Sequence, residues 1–124
     1  MELWHVALQI NDIQEVKSFY EKLLDFEVQY EFEIDQETAY QIFGVNKPLQ
    51  VVKMQKDKMF LELFVDPQPL KMIYHHMCIA VDDPGKLAEQ SSRSGYQVIS
   101  KEREHGMLYF IKDATGNMFE LKQN

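Results

Sequence analysis

The chain's 124 residues, 45% of them hydrophobic, suit one folded domain with a core of its own and exclude a disordered tail. A formal net charge of -7 excludes a nucleic-acid partner, which would need a basic face for phosphate. No apolar run approaches the roughly 20 residues of a membrane span, no basic-then-apolar leader opens the chain, and the single Cys78 cannot form an internal disulfide, so a cytoplasmic protein without membrane contact is expected.

The first element is a strand, Trp4 to Ile10, in which Val6, Leu8 and Ile10 oppose His5, Ala7 and Gln9. Asp12 then reads as a helix N-cap with Glu15 three positions on, and Ile13, Val16, Phe19, Tyr20 and Leu23 follow at helical spacing. Phe26 to Phe32 alternates as a strand with one wet face. Segment 33–48 is polar and acidic at first, and is expected to be a loop with one or two helical turns near Gln36 to Phe43. Leu49 to Met54 and Met59 to Val65 form a hairpin across the polar tip Gln55 to Lys58, and Asp66-Pro67-Gln68-Pro69 is a stiff linker.

The plan then repeats. His76-Met77-Cys78-Ile79-Ala80-Val81-Asp82-Asp83 matches His5 to Asp12 in pattern, both copies reading His-x4-[Ile/Val]-x-Asp, and His76 follows His5 by 71 residues. Asp83 caps a helix with Pro84 at its first position, and Gly95 stops it. Tyr96 to Ser100 is the next strand, Lys101 to Gly106 a charged loop, and Met107 to Lys112 with Asn117 to Lys122 a closing hairpin. A period of about half the chain marks two like modules, 1–66 and 73–124, in a single domain spanning 1–124.

The final strand of each module carries a second shared feature, Leu61-Glu62-Leu63 and Phe119-Glu120-Leu121. A carboxylate flanked by apolar residues is costly to desolvate without a cation. Two imidazoles and two carboxylates at matching positions, His5, His76, Glu62 and Glu120, are the ligand types that hold Ni, Zn, Co, Mn or Fe(II). Taken singly, a strand histidine is more often bonded to backbone and a terminal-strand glutamate is usually on a wet face; the joint recurrence favours the metal. His75 is expected on the packed or peripheral side, His105 in solvent, and Cys78 as a small buried hydrophobe.

With these motifs, and with Phe19-Tyr20-x-x-Leu23-Leu24-x-Phe26 and Asp113-x-x-Gly116-Asn117-x-x-Glu120-Leu121, the chain resembles the vicinal oxygen chelate superfamily of glyoxalase I, bleomycin-resistance proteins and extradiol dioxygenases over essentially its whole length. The resemblance implies an α+β fold of two paired βαβββ modules forming a metal-binding cleft, often within a homodimer. It implies His5, Glu62, His76 and Glu120 as ligands of one divalent ion. It places the chain nearest the glyoxalase I and methylmalonyl-CoA epimerase branch, as a lyase or isomerase of a small carbonyl or thioester that moves a proton through an enediolate, with Glu62 or Glu120 as the base. An extradiol-type dioxygenase and a non-catalytic small-molecule-binding protein of resistance type are the alternatives. Glyoxalase I usually carries Arg and Asn four residues after its first two ligands for glutathione; here those positions hold Gln9 and Asp66. The first module also has 13 more residues between ligand strands than the second, mostly in 33–48, where Tyr40, Ile42 and Phe43 are expected to cover the cleft mouth and select a substrate, a dimer contact or plain surface packing being the alternative.

Overall fold

In a computed structural model describing residues 1–124, two compact units, Met1–Pro69 and Leu70–Asn124, each carry a four-stranded sheet. The first unit runs β1 (Val6–Ile10), a π-helix (Val16–Glu21), β2 (Glu27–Ile34), α1 (Gln36–Phe43), β3 (Leu49–Lys56) and β4 (Met59–Val65). Its sheet order is β1-β4-β3-β2, with β1 parallel to β4 and β3 antiparallel to both of its neighbours. The second unit runs β5 (His76–Val81), α2 (Pro84–Arg93), β6 (Val98–Arg103), β7 (Gly106–Lys112) and β8 (Met118–Gln123), and repeats the topology as β5-β8-β7-β6. Both units are therefore βαβββ modules of an α+β protein, as the duplicated pattern predicts.

Alternation decides which side of each sheet is packed. In β4 Leu61 and Leu63 are fully buried, whereas Phe60, Glu62 and Phe64 between them are partly exposed. Met54, Val52 and Ile10 complete that apolar face, and Phe19 and Tyr20 from the π-helix are buried with their rings edge-on at 5.1 Å. In the second unit Ile111, Phe119 and Leu121 pack on the α2 side with Leu87 and Ala88, and Glu120 again lies on the opposite face. Phe119 and Leu121 bury hydrocarbon worth about 2 to 3 kcal/mol each. That packing fixes the strand whose other face carries the glutamate.

Three expectations need correction. The helix after Asp12 is wound as a π-helix, with Lys22 N–H bonded to the Lys17 carbonyl at 3.1 Å and Leu24 N–H to that of Phe19 at 3.2 Å. The charged loop at 101–106 is mostly strand: Lys101, Glu102 and Arg103 pair with Leu108, Met107 and Gly106, leaving only Glu104 and His105 to turn. As an edge strand, β6 keeps these charges in water, so polarity does not prevent pairing. Cys78 is exposed, because it shares its face of β5 with His76 and not with the residues packed under α2.

Segment 33–48 holds a well-capped helix. Asp35 accepts a hydrogen bond from Thr38 N–H at 2.8 Å at the start of α1, and Gly44, at φ 70°, closes it in the left-handed conformation that other residues adopt only with strain.

Candidate functional site

Parallel pairing brings each histidine to its glutamate. β1 lies beside β4 with Val6 opposite Leu61 and Ala7 opposite Glu62, so His5, just before β1, reaches across to the glutamate: its Nε2 is 3.3 Å from Glu62 Oε1. In the second unit Cys78 stands opposite Glu120, and His76, two residues earlier on the same face, puts its Nε2 3.5 Å from Glu120 Oε2. The two glutamate side chains are mostly buried, at 16% and 18% exposure, while the imidazoles, at 40% and 38%, are open enough to meet a ligand from solvent.

The spacing fits a cation between the partners. Two donor atoms each about 2.1 Å from one ion lie about 3.0 Å apart at a right angle and about 3.4 Å apart at a tetrahedral angle. A direct charged hydrogen bond would draw them closer, to about 2.7–2.9 Å. The Nδ1 of His76 is 2.9 Å from the Tyr74 carbonyl, an acceptor for the Nδ1 proton of the tautomer in which Nε2 can bind a metal. No three His, Cys, Asp or Glu side chains gather as a metal cage would. Each unit holds one His–Glu pair.

Each glutamate has a further partner that sequence patterning does not reveal. Lys53 on β3, directly across from Glu62, places Nζ 3.4 Å from Oε2 and lies over the Phe60 ring at 5.5 Å. Lys122, two residues beyond Glu120 on β8, places Nζ 2.9 Å from Oε1. The Lys122 hydrogen bond, reinforced by the Lys122 charge and opposed by burial, holds the Glu120 carboxyl below the usual range. Counting back from the two-residue turn at Asp57-Lys58 would have put Lys53 opposite Glu62; nothing in the pattern singles out Lys122.

Other residues named in the sequence stand apart from the donor pairs. His75 is exposed, just outside β5, and His105 is exposed in the β6–β7 turn. Gln9 and Asp66 form a structural clamp: Gln9 Nε2 donates to the carbonyls of Asp66 (3.1 Å) and Gln68 (2.7 Å), Asn11 Nδ2 donates to the same two at 2.8 Å, and Lys47 Nζ meets Asp66 Oδ1 at 2.9 Å. Burial alone would raise the Asp66 pKa; the Lys47 and Gln68 hydrogen bonds outweigh it and hold it down. Asp113 is structural too, accepting from the Gly116 and Asn117 N–H groups at 2.8 and 2.7 Å to shape the turn that leads into β8. On the Glu62 face, Phe43 of α1 meets Phe64 edge-on at 5.4 Å, so α1 does reach the strand that carries the glutamate.

The class defined by this fold and these pairs is a duplicated βαβββ protein with a His–Glu pair in each repeat. The family model of the Glyoxalase/Bleomycin resistance protein/Dioxygenase superfamily matches residues 2–121, and the chain belongs to that superfamily. No match is found among curated proteins. Among solved structures the chain is similar to a glyoxalase family protein from Enterococcus faecalis, with TM-score 0.74, 22% identity, and coverage of 97% of this chain and 95% of that one. It is similar to the trypanothione-dependent glyoxalase I of Leishmania major, with TM-score 0.72, 18% identity and coverage of 99% and 86%. It is also similar to a mutant of the fosfomycin resistance protein FosX from Listeria monocytogenes, complexed with Mn(II) and a dihydroxypropylphosphonic acid, with TM-score 0.72, 14% identity and coverage of 97% and 87%. At these identities the likeness is one of fold.

Proposed function

We propose that the chain is a metal-dependent lyase or isomerase of glyoxalase type, moving a proton on a small carbonyl or thioester substrate. His5, Glu62, His76 and Glu120 are its ligands for one divalent ion among Ni, Zn, Co, Mn and Fe. The observation that carries this reading is the repeated placement of an imidazole Nε2 3.3 to 3.5 Å from a mostly buried carboxylate, the separation of two atoms sharing one ion. On this reading 1–124 is one functional domain, and a homodimer is the expected assembly.

Bound there, the ion would polarise a substrate carbonyl and acidify the adjacent C–H. The chain's own groups do the rest. His5 and His76 hold position, and Glu62 or Glu120, whichever is free of the ion, takes the proton from carbon and returns it to carbon. Gln9 and Asp66, at the positions glyoxalase I uses for glutathione, are tied into the clamp on residues 66–68, which supports a substrate recognised without glutathione.

A deuterium-exchange screen over small-thiol hemithioacetals and acyl-CoA thioesters, with each metal restored in turn, tests the proposal. Exchange should require metal and disappear in the double variant Glu62→Gln, Glu120→Gln. Exchange that survives in the double variant would remove both carboxylates as bases, and oxygen uptake with catechols would move the chain to the extradiol class.

A further inference from the structure

The duplication accounts for both His–Glu pairs but not for the lysines beside them. In the first unit the cation stands across the sheet, Lys53 opposite Glu62, and the position two residues along β4 is Phe64. In the second the roles are exchanged: Phe110 stands opposite Glu120, in edge contact with His76, and the cation is Lys122, two residues along β8. From unlike positions both lysines reach the same place, the carboxylate oxygen that does not face the imidazole. Lys53 meets Oε2 of Glu62 while His5 faces Oε1, and Lys122 meets Oε1 of Glu120 while His76 faces Oε2.

We propose that Lys53 and Lys122 are resident counter-cations of the metal-free protein, positioning residues that hold each glutamate by one oxygen so that only the other is offered to the ion. The proposal rests on the ligand assignment above. A mostly buried carboxylate is unfavourable without a positive partner, and the lysine supplies one. Once a divalent ion enters, the same ammonium lies close to it and repels it. Each lysine thus stabilises the metal-free chain and weakens metal binding by the same linkage. Lys53, whose side chain is 14% exposed, acts more strongly than Lys122 at 49%, because solvent screens the second more.

The test is Mn(II) titration calorimetry on the full chain, with melting temperature measured with and without Mn(II). Lys53→Met should bind Mn(II) roughly tenfold more tightly than wild type, as removal of a nearby charge in a partly screened site predicts. Lys122→Met should shift in the same direction by less. Both should melt lower when metal-free, and Lys53→Arg should restore wild-type values. Wild-type or weaker Mn(II) affinity in both Met variants overturns the proposal. If Lys53→Met does not fold, Lys122→Met, at a half-exposed site, decides alone. Glu62→Gln and Glu120→Gln run in parallel: unchanged Mn(II) affinity there means the ligand assignment has failed and takes this role with it. Lost affinity there, with wild-type binding in the lysine variants, means only the counter-cation role has failed.

Discussion

Asp66 illustrates how one carboxylate can serve the scaffold at a position where the family pattern leads one to look for a ligand contact. Its folded pKa lies below the usual carboxylate value, so its contribution is complete above that value and is lost as pH falls through the lowered one. Urea unfolding of wild type and Asp66→Asn should therefore differ most near pH 6, and the difference should shrink once pH drops below about 4. An equal difference at every pH would assign the clamp to shape and not to charge. At this scale the histidines and glutamates are legible because each recurs in a matching strand. Lys53 and Lys122 are not, since a lysine's partner depends on strand pairing and on which way a long side chain turns. The exposure of Cys78 escapes the sequence for a related reason: alternation says which residues share a face, not which face is covered.

At the scale of elements, caps and apolar spacing find the helices after Asp12 and Asp83 and allow one or two turns at 36–43, but do not set the winding of the first. Val16, Phe19 and Tyr20 reach the core from a π-turn as they would from an α-turn, and the hydrogen-bond step leaves no mark in the sequence. The far end of β6 is hidden because charge mimics a loop signal, whereas an edge strand tolerates charge on both sides. α1 depends on the residue that caps it, so Asp35→Ala should speed hydrogen exchange at Thr38 and Ala39 while the global melting temperature barely moves. Removing α1 should change substrate affinity and leave Mn(II) affinity near wild type, given the contact of Phe43 with Phe64; failure to fold would instead make the segment structural. β8 divides its two faces between packing and chemistry. Phe119→Ala should cost about 3–5 kcal/mol by chemical denaturation, whereas Glu120→Gln should alter metal content with a far smaller loss of stability.

For the whole molecule, the duplication is the most legible property, since it shows as a repeat of strand, helix and strands before any single boundary is fixed. The proposed ligand set predicts one Mn(II) per chain by calorimetry, lost entirely when either His5 or His76 is replaced by alanine. Two independent weak sites, each surviving loss of the other, would contradict the single-ion reading.

The parallel pairing of β1 with β4 and of β5 with β8 has a kinetic consequence. His5 and Glu62 are 57 residues apart along the chain and His76 and Glu120 are 44 apart, with the rest of each module between them. Closing loops of that length is among the slower events of folding, so each donor pair is assembled at the downhill end of the path, after its hairpin has formed. Metal present during refolding should then leave the folding rate unchanged and act wholly by slowing unfolding.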